Sequence, residues 1–359
     1  MKEARAEGSA SATTQTEVDL SHVFVCYGAH SFDAALRIVE QLPQPGAHCF
    51  FFLLFAADTS QVPQGAHYSL APSLLRENNL TKPFVIARWF SGALKEFNKH
   101  SPRRIVAYLP HPFELPGNHF MYHDPRVTRL ELLPDGLMNY LDRPVVPESK
   151  RKKAGYLARS ALRALAAQAT GLSYRPLIRG HLTQFREGHY QKSWTFNPQG
   201  FLTRGGELVQ LPPRQRPTPE TKAPGFGLLI LDQEISHLVT TELENNIRRK
   251  LRALVRAEGA PRVFYKTHPR GKNRAQEWND RGIAVKDLSA IGQAEDVLLQ
   301  YGISTLVGFF STPLLLSAEE VQVRMAVLPT PGTPGIRQKK LVAELREVLR
   351  ASGAQIIAP

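Results

Sequence analysis

Three short segments of this 359-residue chain end an apolar run in a polar turn, and each turn carries a different reactive group. Leu132-Leu133-Pro134-Asp135-Gly136 offers a carboxylate. Tyr265-Lys266-Thr267-His268-Pro269-Arg270 offers an imidazole between two cations, and Phe310-Ser311-Thr312-Pro313 offers two hydroxyls. A carboxylate just past a strand can take the proton of an attacking hydroxyl. An imidazole beside lysine and arginine can give a hydrogen bond or a proton to a phosphate oxygen. A hydroxyl followed by proline marks a helix start, whose free amides attract anions. Base, leaving-group acceptor and anion cradle are the parts needed to transfer a sugar from a phosphate-linked donor. Each motif also has an ordinary reading: Pro-Asp-Gly is a favourable turn, His268 can sit among solvated charges, and Ser311 can be a simple cap. A second His-Pro, His111-Pro112, also follows a strand. It lacks flanking cations and ranks below His268.

These groups need strands to deliver them. Val23–Tyr27 reads as a buried strand, followed by Gly28 and a helix with Ala35, Ile38 and Leu42 on one face. Phe50–Phe55, Arg104–Leu109 and Val127–Leu133 read as further strands, with a helix near Ile86–Asn98. A second series opens at Gly227–Leu231. Its first helix carries a Thr241-x-x-Glu244 capping box and stops at Gly259. Strands at Val263–Tyr265, Thr305–Phe310 and Met325–Leu328 follow, with helices at Gly292–Gln300 and Leu341–Leu349. Strands alternating with helices predict mostly parallel sheets covered on both faces. The expected division is a disordered leader at 1–18, an N-terminal acceptor domain at 19–148, a basic helix and Pro/Gly-rich linker at 149–225, and a C-terminal donor domain at 226–359.

Composition narrows the class. Hydrophobic content of 42% and 21% charged residues suit a globular chain. The net charge of +13 favours an anionic partner: nucleotide, lipid head group or nucleic acid. Cys26 and Cys49 lie in apolar runs, which argues against a disulfide framework and for a reducing compartment. Residues 1–18 have no apolar signal core, and no apolar run is long enough to span a bilayer, so the expected location is cytoplasmic. Residues 149–186 hold nine basic residues and no acidic one. Within them, Gly155–Gln168 fits a helix with Leu157, Ala161 and Leu165 on one side and Arg159 and Arg163 on another. That pattern suits peripheral attachment to an anionic inner-membrane surface through 150–170. Nucleic acid is not the expected partner, because only Tyr156 interleaves the basic residues between 150 and 173. No Asp-x-Asp metal clamp, P-loop or dinucleotide fingerprint occurs, and no metal is expected.

With these motifs in hand, the chain resembles the bacterial sialyltransferases and capsule polysialyltransferases that use CMP-activated nonulosonic acids. They share an acidic-acidic-Gly motif, then a His-Pro motif, then a Ser/Thr pair. Here these are Asp135-Gly136, His268-Pro269 and Ser311-Thr312. The resemblance implies a GT-B fold, α/β with two Rossmann-like domains facing a central cleft. It implies a metal-independent, inverting glycosyltransferase without a cofactor, whose partners are a CMP-sugar donor and a glycan acceptor on a lipooligosaccharide or capsule chain. Asp135 would be the general base and His268 the general acid or phosphate stabiliser. Lys266, Pro269, Arg270, Ser311 and Thr312 would bind the donor phosphate. The first acidic position of the motif is Pro134 here, so Asp135 takes the base role, with Glu131 as the alternative. Transfer of Kdo or another CMP-linked acid sugar would use the same site. A basic membrane-surface or nucleic-acid-binding protein without catalysis is the alternative of another class.

Overall fold

The computed structural model describes residues 20–72, 80–147, 150–185, 188–202, 206–212, 227–268, 271–292, 294–317 and 321–359. The chain forms two compact units. The first comprises Met1–Asp135, Arg143–Thr195 and Thr203–Pro212, and the second Gly136–Asp142, Phe196–Leu202 and Pro213–Pro359. No described helix is long and apolar enough to cross a membrane. The predicted leader lies outside the described residues.

The first unit is built on β1 (Leu20–Cys26), β2 (Cys49–Leu53), β3 (His67–Leu70), β4 (Arg104–Leu109), β5 (Val127–Leu132), β6 (Lys192–Thr195) and β7 (Glu207–Gln210). All pair in parallel, in the order β3-β2-β1-β4-β5-β6-β7. Helices α1 (Ala29–Val39), α2 (Lys82–Lys99), α3 (Leu115–Tyr122) and α4 (Lys150–Ala169) belong to this unit. The central strands are apolar along their whole length because helices cover both faces: every residue of β2 is buried, as are Val23–Cys26 of β1. Phe24, Phe51 and Tyr108 stack across β1, β2 and β4. Cys26 and Cys49 are buried and free, and burial raises both thiols.

The second unit holds β8 (Gly227–Asp232), β9 (Arg262–Thr267), β10 (Lys286–Asp287), β11 (Ile303–Gly308), β12 (Val323–Val327) and β13 (Gln355–Ile357), all parallel, in the order β10-β9-β8-β11-β12-β13. Its helices are α5 (Thr241–Glu258), α6 (Ala275–Asn279), α7 (Ala294–Gln300), α8 (Thr312–Leu316) and α9 (Lys339–Ala351). Gly259 ends α5 in the left-handed conformation, φ 57°, as the sequence predicts. The cap at the other end lies one residue earlier than predicted. Thr240 is the N-cap, its Oγ1 accepting from the Leu243 amide.

Each sheet starts at its centre and reverses direction beside its first strand. These are two Rossmann-like units, the composition expected of a GT-B chain. The segment predicted as basic helix and linker is more than a connection. Its Lys192–Thr195 and Glu207–Gln210 are β6 and β7 at the edge of the first sheet. Neither four-residue strand shows an apolar run: β6, between β5 and β7, buries Ser193, Trp194 and Thr195, while β7 ends the sheet with no buried residue. Phe196–Leu202 and Gly136–Asp142 instead pack within the second unit, through Tyr140 on Phe201 and the Leu202 amide on the Asn139 carbonyl.

Candidate functional site

In the first unit, three strands deliver a cluster at one sheet edge. Tyr27 and Gly28 follow β1, His111 follows the neighbouring β4, and Asp135 follows β5. The β1/β4 boundary is where the strand order reverses, the place at which ligands bind in such sheets. His111 Nε2 lies 3.9 Å from Asp135 Oδ2. The Phe113 amide donates to His111 Nδ1 at 3.2 Å, which leaves the imidazole hydrogen on Nε2, toward Asp135. The ring stacks on Tyr27 at 4.4 Å between centroids.

The loop holding this histidine is pinned from several sides. Arg163 of α4 grips Glu114 at 2.8 and 3.1 Å and lies over the Phe113 ring. Buried Asn118 donates to the carbonyls of Pro112 and Arg175 and accepts from the Arg175 amide. The Gly117 amide donates to the Tyr27 hydroxyl. A Cβ on Gly117 would stand 2.4 Å from that oxygen and 2.5 Å from the His111 carbonyl, so only glycine fits.

Electrostatics separate the two titratable groups. Asp135 is half-buried. Burial raises its pKa above 3.8, partly countered by His30 in the first turn of α1. His111 is driven down to about 3, mainly by burial and then by Arg163. The imidazole is therefore neutral at physiological pH, while burial makes the Asp135 carboxyl hold its proton more tightly.

This has a consequence for stability. Below pH 6.5 the unfolded chain protonates His111 while the folded chain does not, so stability is lost as pH falls from 6.5 toward 3. Half-buried His22, lowered to about 4, acts in the same direction. The expected result is a falling urea midpoint across this window and a shallower slope in His111→Asn. Equal slopes in the two proteins would show that His111 titrates normally.

Glu131, the alternative base, is fully buried in β5. Trp194 Nε1 donates to its Oε2 at 2.5 Å, and Arg129 pairs with its Oε1 at 2.6 Å. One oxygen joins β5 to β6 and the other pairs within β5, which makes Glu131 a part of the sheet, while Asp135 is the carboxylate at the strand end.

In the second unit, β8 lies between β9 and β11. His268 follows β9 and Ser311 lies three residues beyond β11, so both emerge at the same sheet edge, two strand spacings or roughly 10 Å apart. His268 is exposed, and its amide donates to the Asp232 carbonyl at 2.8 Å. Asp232 ends β8 and is buried. Arg248 holds its Oδ1 at 2.8 Å, while Tyr265 donates to Oδ2 at 2.9 Å and Arg274 lies 3.8 Å away. Sequence reasoning missed this network, whose members come from four separate segments.

Lys266 departs from its expected role. It is buried, and its Nζ donates to the carbonyls of Leu288 and Ile291. These two bonds tie the end of β9 to the segment after β10. Pro269 and Arg270 lie outside the described residues.

Ser311 is the N-cap of α8, as the Ser-Thr-Pro pattern predicts, but its side chain makes no capping bond. Its Oγ is buried and has no hydrogen-bond partner among the described residues. Thr312, the first residue of α8, is half-buried. Since no bond is lost, Ser311→Ala should leave the thermal midpoint nearly unchanged. If the hydroxyl serves a phosphate, the same variant should weaken CMP binding about tenfold. Unchanged CMP affinity would return Ser311 to a purely structural part.

The fold is similar to solved sialyltransferases. A sialyltransferase from Photobacterium damsela aligns with a TM-score of 0.50 at 15% identity, over 95% of this chain and 81% of that one. An α/β-galactoside α-2,3-sialyltransferase from the luminous marine bacterium Photobacterium phosphoreum aligns with a TM-score of 0.53 at 9% identity, over 94% and 98%. The family that the motifs resemble is thus also one whose solved structures share this fold. No protein-family model matches the chain, and no curated protein matches it in sequence.

Proposed function

We propose that the chain is an inverting, metal-independent glycosyltransferase that moves a nonulosonic acid such as sialic acid from a CMP-activated donor to a glycan. The observation that carries this reading is positional. All three motifs leave their parallel sheets at the carboxyl ends of strands, Asp135 after β5, His268 after β9 and Ser311 after β11. Those ends are where such sheets bind ligands.

In the proposed reaction Asp135 removes the proton of the acceptor hydroxyl as that oxygen attacks the anomeric carbon. The bond from that carbon to the CMP phosphate oxygen breaks, and the oxygen keeps the bonding electrons. His268 meets the developing charge with a hydrogen bond or a proton, and Ser311 and Thr312 bind the phosphate. A single-phosphate leaving group carries less charge than a diphosphate, in keeping with the missing Asp-x-Asp clamp.

Thermal shift with chelator present, against CMP, UDP, GDP and ADP, tests the donor. CMP at about 100 times its Kd should raise stability by about 2.7 kcal/mol, and the other three should not. A preference for UDP defeats the proposal. Transfer of Kdo or another CMP-linked acid sugar fits the same groups, and product analysis with each CMP sugar separates the two.

A further inference from the structure

We propose that the outward face of α4 docks on an anionic lipid bilayer, an inference independent of the transferase reading. The helix is turned opposite to ordinary amphipathic packing. Its inward face holds Tyr156, Ser160, Arg163 and Ala167, all buried, with Arg163 paired to Glu114. Its outward face holds Ala154, Leu157, Ala158, Ala161 and Leu165, all exposed. Leu157 is 44% and Leu165 56% exposed. The stripe from Ala154 to Leu165 runs about 17 Å along the axis.

An apolar face left in water on a helix that buries an arginine calls for an occupant. Charge identifies it. Exposed Lys150 and Lys153 stand at the start of the stripe, and Arg159 flanks it. Residues 149–186 contain no acidic side chain that would repel an anionic surface. Leucines bordered by cations, without carboxylates, are the chemistry of an interfacial helix. A second copy fits less well, since pairing two such faces brings together two chains of net charge +13.

The test is co-sedimentation of the full chain with vesicles of phosphatidylcholine alone, or mixed with about one third phosphatidylglycerol. The wild type should sediment with the mixed vesicles and detach as salt rises. Leu157→Glu/Leu165→Glu should weaken vesicle binding at least roughly tenfold without changing the thermal midpoint, since both side chains are exposed. Lys150→Glu/Lys153→Glu should weaken it as well. The proposal is overturned if the wild type stays in solution with both vesicle types, or if the Leu157/Leu165 variant sediments like the wild type. It is equally overturned if the wild type is a dimer that this variant makes monomeric, or if the variant abolishes binding to single-stranded nucleic acid in place of binding to vesicles.

Discussion

Asparagine at position 135 should cut turnover by roughly 10²-fold or more while CMP still binds. Asn has the shape of Asp but cannot accept the proton of the acceptor hydroxyl. It leaves His268 and Ser311 in the other unit untouched. The same variant should be more stable than the wild type at neutral pH. The folded chain holds the Asp135 carboxyl above its value of 3.8 because burial disfavours the charge. Folding therefore binds this proton more tightly, and stability falls as pH rises from 3.8 through the raised folded value. Asn carries no charge and removes that cost. The two midpoints should converge below pH 3.8 and separate above it, with the variant higher. Activity lost and stability gained by one substitution would mark a group kept for chemistry. Full activity in Asp135→Asn would defeat the mechanism. Glu131→Gln is the control: it should lower stability through the lost Arg129 and Trp194 contacts, with little change in turnover per folded molecule.

The second large effect is structural. Asp232→Ala should destabilise the second unit by about 3 kcal/mol or more, because it leaves Arg248 and Arg274 as poorly hydrated cations without their shared carboxylate. It also strands the Tyr265 hydroxyl, which donates to the same group. Urea unfolding measures the loss. A cycle with Arg248→Ala should show strong coupling, since the double variant no longer contains the guanidinium that has lost Asp232. A loss below about 1 kcal/mol would mean that water or Glu244 replaces the carboxylate.

The candidate site was legible in the sequence to the extent that its parts are local. Asp135, His268 and Ser311 follow apolar runs, and the structure places each just past a strand end. His111 ranked below His268 because its setting is not local: Tyr27 and Asp135, which flank it, arrive from other strands. Lys266 shows the converse: three cations in one turn are near in sequence, yet this one is buried and bonds the carbonyls of Leu288 and Ile291.

Helix α4 separates the two kinds of information. Period and spacing identified a helix with Leu157, Ala161 and Leu165 on one side and arginine on another. A helical period marks faces without saying which one is covered, and hydrophobicity argues for burying the leucines. The opposite face is buried because Glu114 and Phe113, about fifty residues earlier in the chain, supply a carboxylate and a ring for Arg163. Strand positions, parallel class, the stop at Gly259 and the three strand-end motifs follow from neighbouring residues, and the chain alone was enough for them. The buried face of α4, the short strands β6 and β7, the neutral His111 beside Asp135 and the Asp232 network depend on groups far apart in sequence. Burial and pairing energies arise only when the fold brings such groups together, so only the tertiary structure could decide them.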